Sequence, residues 1–220
     1  MNSLYAIPGC YLIEECSATS AGNLEWFIKN CMENEAVPEG RRLYEHIDEL
    51  VDSVDPSMCE VYYLPFLYGS NAHPLAKGTF AGLTTYHTKA HMLRAVFEGV
   101  VYSHKVHIEK LLSEREPPKA IRMAGGAINS SVWVQLFADV LGFPIETVRG
   151  VKELGALGCA MAAAVTAGVY RDYSEAAQAM VRVNTPVIPD EARTKIYEAK
   201  FKKYKALNQA LDTVWDQFTV

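Results

Sequence analysis

The sequence lacks a hydrophobic stretch long enough to cross a membrane, and its beginning lacks the basic residues of a secretory leader. A membrane-spanning helix needs roughly 18 or more consecutive apolar residues, and signal peptides begin with a positively charged region. The five cysteines include no C-x-x-C pair, and their odd number argues against a disulfide framework. These absences predict a cytoplasmic protein with reduced thiols and no membrane partner.

Clusters of positive charge are also missing. The chain has 21 Lys and Arg against 26 Asp and Glu, a formal net charge of -5 and a sequence pI near 5.7. Nucleic-acid-binding domains usually carry a basic patch, because phosphate contacts dominate their affinity. We therefore expect no nucleic-acid partner. Half of the 220 residues are apolar, which is enough to bury a sizeable core.

Two common nucleotide-binding motifs are absent from the sequence. There is no G-x-x-x-x-G-K-[ST] phosphate loop and no G-x-G-x-x-G dinucleotide fingerprint. Any nucleotide that this chain binds must therefore be held by a different architecture.

The most informative stretch present is residues 120–168. A short apolar strand pattern at 121–123 runs into paired glycines. Asn129, Ser130 and Ser131 are good N-cap residues, and an apolar face at helical spacing follows over residues 133–140. In this order of strand, glycine turn and capped helix, a ligand can approach the main chain, and the helix start favours an anion. Taken alone, however, a Gly-Gly pair between a strand and a helix is more often only a tight connection.

Hydrophobic periodicity predicts an α/β domain around this unit. Helical spacing occurs at residues 23–35, 43–53, 88–113, 153–168, 174–183 and 197–218, and strand patterns occur at 11–13, 61–64, 121–123 and 145–148. The last two strands should pair in parallel through a right-handed crossover. Residues 65–82 are expected to form a long irregular loop.

The helix at 153–168 is rich in glycine and alanine. Small side chains of this kind allow very close packing against a sheet or another helix. We therefore interpret the interior of this helix as a packing element without chemistry.

Four histidines lie on or near the helix at 88–113, and His87 and His91 are spaced so that both could face a metal ion. No carboxylate completes an H-E-x-x-H pattern. Polar side chains at the start and rim of a helix are the simpler interpretation, and we predict no metal site.

Several stretches resemble the signatures of the FGGY family of ATP-dependent carbohydrate kinases. Residues 78–83 read G-T-F-A-G-L, and after seven residues H-M-L-R-A-V-F-E follows at 91–98, which is similar to the family's second signature at every defined position. Residues 123–139, beginning M-A-G-G-A, and E-L-G-A-L-G at 153–158 resemble the adenosine motif and the small-residue helix behind it. Residues 20–27, S-A-G-N-L-E-W-F, are similar to the helix start that lines the nucleotide cleft.

The resemblance covers nearly the whole chain and implies an actin-like, ribonuclease-H-like fold. Members of the family have two such domains, with ATP and sugar bound in the cleft between them, and residues 1–220 match only the C-terminal domain. The motifs imply that the backbone at Gly125, Gly126 and Ala127 lies near the ribose and α-phosphate of a bound adenosine nucleotide. They imply that Asn129 or Ser130 contacts the adenine edge, and that Ala21 and Glu25 line the opposite side of the pocket.

The substrate is also indicated only by resemblance. The loop at 66–71, F-L-Y-G-S-N, departs from the G-E-R-x-P of many xylulokinases and looks more like the L-xylulose kinase branch. This implies a pentulose substrate such as L-xylulose or xylulose, with Mg-ATP as the phosphate donor. Related kinases are commonly dimers, so a homodimer is a candidate assembly.

The family's residues for phosphoryl transfer are not found in this sequence. The D-x-G-T/S phosphate motif is absent, and no Gly-Asp dipeptide occurs for the segment that carries the general base. We therefore expect the chain to lack the N-terminal kinase domain and the first edge of the C-terminal domain, to contain no catalytic residue, and to be inactive on sugars alone. The alternative is a free-standing, non-catalytic nucleotide-binding or regulatory module derived from a sugar kinase.

Overall fold

The computed structural model of the protein describes residues 2–5, 7–18, 20–150 and 153–218. Its strands are β1 (Asn2–Leu4), β2 (Tyr11–Ile13), β3 (Tyr62–Leu64), β4 (Thr79–Ala81), β5 (Ile121–Met123) and β6 (Ile145–Thr147). Its α-helices are α1 (Gly22–Cys31), α2 (Leu43–Asp52), α3 (Lys89–Leu112), α4 (Ser131–Leu141), α5 (Leu154–Thr166), α6 (Tyr173–Met180) and α7 (Glu191–Asp212). Short 3-10 helices cover Gly126–Asn129 and Trp215–Gln217. Among these residues no helix combines the length and the apolar character that a membrane span requires.

The strands form three separate two-stranded sheets. β1 and β2 are an antiparallel hairpin, β3 and β4 pair antiparallel, and β5 and β6 pair in parallel with Ile121 opposite Ile145. The predicted parallel pair is therefore present. β4 lies inside the stretch 65–82, so the prediction of an irregular loop there is wrong in part. Its partner β3 is distant in sequence, and local periodicity carries no signal for such a pairing.

The predicted helices are all present, and they differ from the sequence prediction at their ends. α1 ends at Cys31 rather than near residue 35, α6 ends at Met180, and α7 ends at Asp212, where a 3-10 turn replaces the predicted last turn. Helix ends depend on caps and on tertiary contacts as much as on apolar spacing. The centres of these helices were predictable because the spacing of apolar residues along the sequence determines them.

α3 is the central element of the fold. Residues 93–103 are all buried, as expected for a helix that is apolar nearly all round. Gly99 lies so close to β3 that an added Cβ would be 2.2 Å from the carbonyl oxygen of Tyr63. Only a residue without a side chain allows the helix to lie directly on the strand at this point.

A buried ionic cluster ties α3 to α2 and α7. The Glu98 carboxylate is 2.9 Å from Arg94 Nε and 2.5 Å from Lys200 Nζ, and all three side chains are almost fully buried. Arg94 Nη1 also donates to the carbonyl oxygens of Val51 and Val54 at the end of α2, at 2.9 and 2.7 Å. Each charge in the cluster therefore has a partner, which a buried charge needs in order to be tolerated.

The small-residue helix α5 contacts another helix, as the sequence predicted, but it remains exposed. Its main neighbour is α6, and none of its residues is buried. Small side chains permit a close approach, yet they offer little apolar area to stabilise it. In the described part of the chain α5 is therefore a peripheral element rather than a packed one.

Candidate nucleotide site

A glycine turn links β5 to α4 at the candidate site. Gly125 has a φ of +94°, a conformation that residues with side chains rarely adopt. One 3-10 turn follows over residues 126–129, and Ser130 caps α4 by accepting a hydrogen bond from the N–H of Trp133 at 3.0 Å. The predicted order of strand, glycine turn and capped helix is therefore present, with one added 3-10 turn.

The paired glycines face open space. A Cβ added to Gly125 or Gly126 would have no heavy atom within 4 Å, whereas one added to Gly82 would lie 2.3 Å from a backbone oxygen. Of the pair, only Gly125 has a positive φ. Backbone conformation therefore explains Gly125, while neither packing nor conformation explains Gly126. An open approach to the main chain at this point suits a bound ligand.

A cavity of about 490 Å³ adjoins the turn. Gly125, Gly126 and Ala127 line it, and so does Ala21, at the start of α1. Apolar side chains of α3, β5, α4 and β6 form most of the remaining wall, including Val100, Met123, Phe137 and Ile145. A pocket of this size with apolar walls and exposed backbone amides is typical of a small-molecule site.

His104 is a half-buried polar side chain in this wall. Its Nε2 lies 2.9 Å from the hydroxyl of Ser20, which directly precedes Ala21. Burial lowers the pKa of His104, so the ring favours the neutral form. The contact holds the start of α1 against α3 and so fixes one side of the cavity.

Glu25, the predicted site residue on α1, lies one turn beyond Ala21 and does not line the cavity. Its carboxylate accepts a hydrogen bond of 2.6 Å from the hydroxyl of Tyr44 on α2. That bond, together with burial, raises the pKa of Tyr44 to about 12. Glu25 is therefore held in place by α2.

Ser130 is held by the same helix. Its hydroxyl donates to the Asp48 carboxylate at 2.7 Å while it accepts from Trp133. A serine hydroxyl has one proton, so its donor is already used by Asp48. Burial raises the pKa of Asp48, and the bond from Ser130 opposes that shift.

Asn129 is the exposed member of the predicted adenine edge. Its amide nitrogen donates to the carbonyl oxygen of Gly126 at 3.0 Å, which closes the 3-10 turn. Like Glu25 and Ser130, it is not part of the cavity wall. The structure thus brings Ala21 and residues 125–127 together and places the three polar candidates at the periphery.

The histidines that could have faced a metal have other partners. His87 Nδ1 accepts the N–H of Thr84 at 2.9 Å, and His91 Nδ1 accepts the N–H of Thr88 at 3.2 Å. The His87 ring therefore stabilises the loop before α3, and the His91 ring stabilises the first turn of α3. Within the described ranges, no group of three or more His, Cys, Asp or Glu side chains is arranged to hold a metal ion.

The stretch that resembles the second family signature builds the core rather than the cavity. Gly82, with a φ of +84°, lets the chain pass the carbonyl oxygen of Glu60. Arg94 and Glu98 form the buried ion pair of α3. The residue types in this stretch are therefore explained by folding.

Comparison with known proteins agrees with this architecture. Residues 2–167 match the family model described as the FGGY family of carbohydrate kinases, C-terminal domain. Over 207 residues the chain is 36% identical to the L-xylulose/3-keto-L-gulonate kinase of Escherichia coli and to the probable L-xylulose kinase of Pasteurella multocida. Each alignment covers 94% of this chain but 40% of the relative, so the chain spans less than half the length of these relatives.

Solved structures give the same result. The crystal structure of xylulose kinase from Rhodospirillum rubrum matches with a TM-score of 0.82 at 27% identity, over 95% of this chain and 41% of that one. Glycerol kinase of Plasmodium falciparum with ADP shares the fold, with a TM-score of 0.69 at 19% identity over 87% of this chain and 37% of that one. These matches confirm the predicted fold class, an α/β domain of the actin-like ATPase type. The chain therefore belongs to the FGGY family of carbohydrate kinases and matches its C-terminal domain.

Proposed function

We propose that the chain is the nucleotide-binding C-terminal portion of an ATP-dependent kinase that phosphorylates a pentulose such as L-xylulose or xylulose. The observation that carries the proposal is the glycine turn at 125–127, which faces open space and lines the same cavity as Ala21. Its location within a domain of a carbohydrate kinase family supports ATP as the ligand. The names of the relatives support a pentulose as the substrate.

In this proposal the backbone at Gly125, Gly126 and Ala127 lies against the ribose and α-phosphate. Asn129, which is exposed, supplies the contact to the adenine edge, with Ser130 behind it. Ala21 and Glu25 lie on the opposite side of the adenosine. The residues fit such a ligand because the turn is open and most of the neighbouring cavity wall is apolar, as a nucleoside requires.

The transfer step itself is assigned to residues outside positions 1–220. Phosphoryl transfer depends on holding the acceptor hydroxyl and the phosphates in line and on neutralising charge, which Mg²⁺ supplies through the nucleotide. The chain spans 40% of the relatives, and we propose that an N-terminal kinase domain carries the sugar site and the general base. We propose that the phosphorylation takes place in the cytoplasm, where ATP is available, and that the kinase is a homodimer.

The alternative of a free-standing regulatory module has no specific support. The relatives named above are kinases, and their matches extend over nearly the whole chain. We therefore retain the enzyme portion as the proposed function. The 220 residues alone are expected to bind adenine nucleotides weakly and to leave sugars unphosphorylated.

A nucleotide titration of the isotope-labelled 220-residue chain, followed by NMR, tests the proposal. Saturable shifts of the amides at 125–127 and at Ala21 are expected, with a dissociation constant on the order of 1 mM and weaker binding of CTP as the base control. Shifts spread evenly over the surface would contradict the site. A coupled assay with a pentulose panel should show no sugar-dependent ADP release. Measurable release would contradict the proposal that the phosphoryl-transfer residues lie outside positions 1–220.

A further inference from the structure

The two polar candidates on opposite sides of the adenosine site are bound by the same helix. Glu25 on α1 accepts its bond from Tyr44, and Ser130 at the start of α4 donates its bond to Asp48. Tyr44 and Asp48 are four residues apart on α2, so they lie one turn apart on the same face. Neither residue belongs to a motif in the sequence.

The route from the cavity to α2 is short on both sides. On α1, one helical turn separates Ala21, which lines the cavity, from Glu25. On the other side, Ser130 follows three positions after Ala127, which also lines the cavity. Glu25 and Ser130, which lie close in sequence to these lining residues, are therefore both hydrogen-bonded to side chains one turn apart on α2.

α2 is a firm support for these contacts. Ile47 and Val51, three and seven residues after Tyr44 and so on the same side of the helix, are buried, and the carbonyl oxygen of Val51 accepts a hydrogen bond from the buried guanidinium of Arg94. The helix is thereby tied to the core through α3. The side chain of Tyr44, at the edge of that buried side and 52% exposed, is consequently presented from a fixed backbone.

We infer that α2 sets the spacing of the adenosine site, with Tyr44 and Asp48 as positioning residues that act through Glu25 and Ser130 respectively. This inference rests on the proposed nucleotide function. Asp48 fixes the hydroxyl that caps α4, and so fixes the 3-10 turn after the paired glycines. Tyr44 fixes the carboxylate of Glu25, one turn beyond Ala21 on α1. A binding site needs supports of this kind because a small displacement of the contacting groups weakens the ligand's interactions.

The energetics of Asp48 point the same way. Its pKa is raised by burial, so at neutral pH its ionised form costs folding stability rather than adding to it. A half-buried carboxylate with that cost is expected where it serves the site instead of the fold. Replacing it should therefore change nucleotide binding more than it changes the melting temperature.

The test uses the 220-residue chain, with ATP and adenosine as probes, and the variants Asp48→Ala, Asp48→Asn, Tyr44→Phe and Glu49→Gln. Asp48→Ala should weaken ATP binding about tenfold and Tyr44→Phe about threefold, the losses expected for one hydrogen bond to a charged or shared group. Asp48→Asn keeps an acceptor oxygen for Ser130 and should bind within about twofold of wild type. Glu49→Gln is the matched control, because Glu49 is exposed and pairs with Arg41.

Double variants separate positioning from a general structural effect. If Asp48 acts through Ser130, Asp48→Ala should have no further effect on binding in a Ser130→Ala background. The same holds for Tyr44→Phe in a Glu25→Ala background. Tyr44→Phe removes one oxygen from a half-exposed ring, so it leaves the inference testable even if Asp48→Ala does not fold.

The outcomes are distinguishable. Saturable ATP binding by wild type together with unchanged binding by Asp48→Ala and Tyr44→Phe would overturn this inference and leave the proposed function intact. Additive losses in the double variants would overturn it as well. Absence of ATP binding by folded wild-type protein would overturn both.

Discussion

The region around α3 and the region around the β1–β2 hairpin and α5 differ in how their apolar residues are covered. In α3, residues 93–103 are all buried, including the charged side chains of Arg94 and Glu98. In the hairpin, Leu4 is 84% and Tyr11 70% exposed, and α5 has no buried residue at all. Both regions are comparably rich in apolar side chains, so composition does not explain the difference.

The two regions differ in how many secondary-structure elements pack against them. α2, β3, α4 and α7 surround α3, whereas the hairpin is a two-stranded sheet and α5 leans on one short helix. A two-stranded hairpin is marginal by itself, and exposed apolar patches usually mark a contact surface. The comparison teaches that the α3 region folds from its own contacts, while the hairpin and α5 are the surfaces on which we expect the proposed N-terminal domain to lie.

The largest expected effect comes from breaking the ionic cluster of the covered region. Glu98→Ala should destabilise the chain by about 3–5 kcal/mol, because Arg94 and Lys200 would remain buried without their carboxylate. Glu109→Ala, which removes a half-exposed partner of Lys205, should cost less than about 1 kcal/mol. Urea unfolding of both variants measures the contrast, and equal losses would show that burial does not set the cost of removing an ion-pair carboxylate from α3.

A glycine pair sharpens the same comparison. Gly99→Ala places a Cβ against the carbonyl oxygen of Tyr63 and should cost about 1–3 kcal/mol or more. Gly158→Ala in α5 meets no atom within 4 Å and should stabilise that helix by about 0.5–1 kcal/mol. Thermal denaturation checks both signs, and a destabilised Gly158→Ala protein would mean that α5 is packed after all.

At the turn, Gly126→Val should leave the protein folded, since the new side chain meets open space. ATP binding should weaken by more than roughly tenfold, about 1.4 kcal/mol, because the branched side chain blocks approach to the backbone. Gly125→Val should also lower the unfolding free energy, by about 1–2 kcal/mol, since its φ is +94°. Titration and melting of the pair separate the two effects, and unchanged ATP affinity in both variants would refute the site.

The smallest expected effect concerns how the hairpin is held on α3. Glu15, just after β2, contacts His107 and Lys110, and these hydrogen bonds lower the pKa of its carboxyl. A lowered pKa means that this contact is complete above the usual value of 4.5 and is lost as pH falls through the lowered one. Amide shifts of the hairpin should follow that titration, and Glu15→Gln should abolish it. Salt should weaken the effect, because the ammonium of Lys110 is exposed.

The sequence was most informative where the cause is local. The centre of α3, the cap at Ser130 and the parallel pair β5–β6 follow from apolar spacing and from residue types next to one another. β4, the contacts of Tyr44 and Asp48, and the openness around α5 depend on partners far away in the chain. Periodicity shows which face of a helix is apolar, but not what will cover that face. For the same reason, the positive φ could be predicted for the glycine pair but not assigned to Gly125 within it.

The cluster of Arg94, Glu98 and Lys200 also sets an order of events during synthesis. Two of its members leave the ribosome together, and the third lies more than a hundred residues later, on α7. Until that helix has emerged, Glu98 has only one of its two cations and α3 has one uncovered side. The domain can therefore complete its core only after α7 has emerged, although α3 is made before it. During that interval the nascent chain exposes α3, which makes it a natural binding surface for a chaperone.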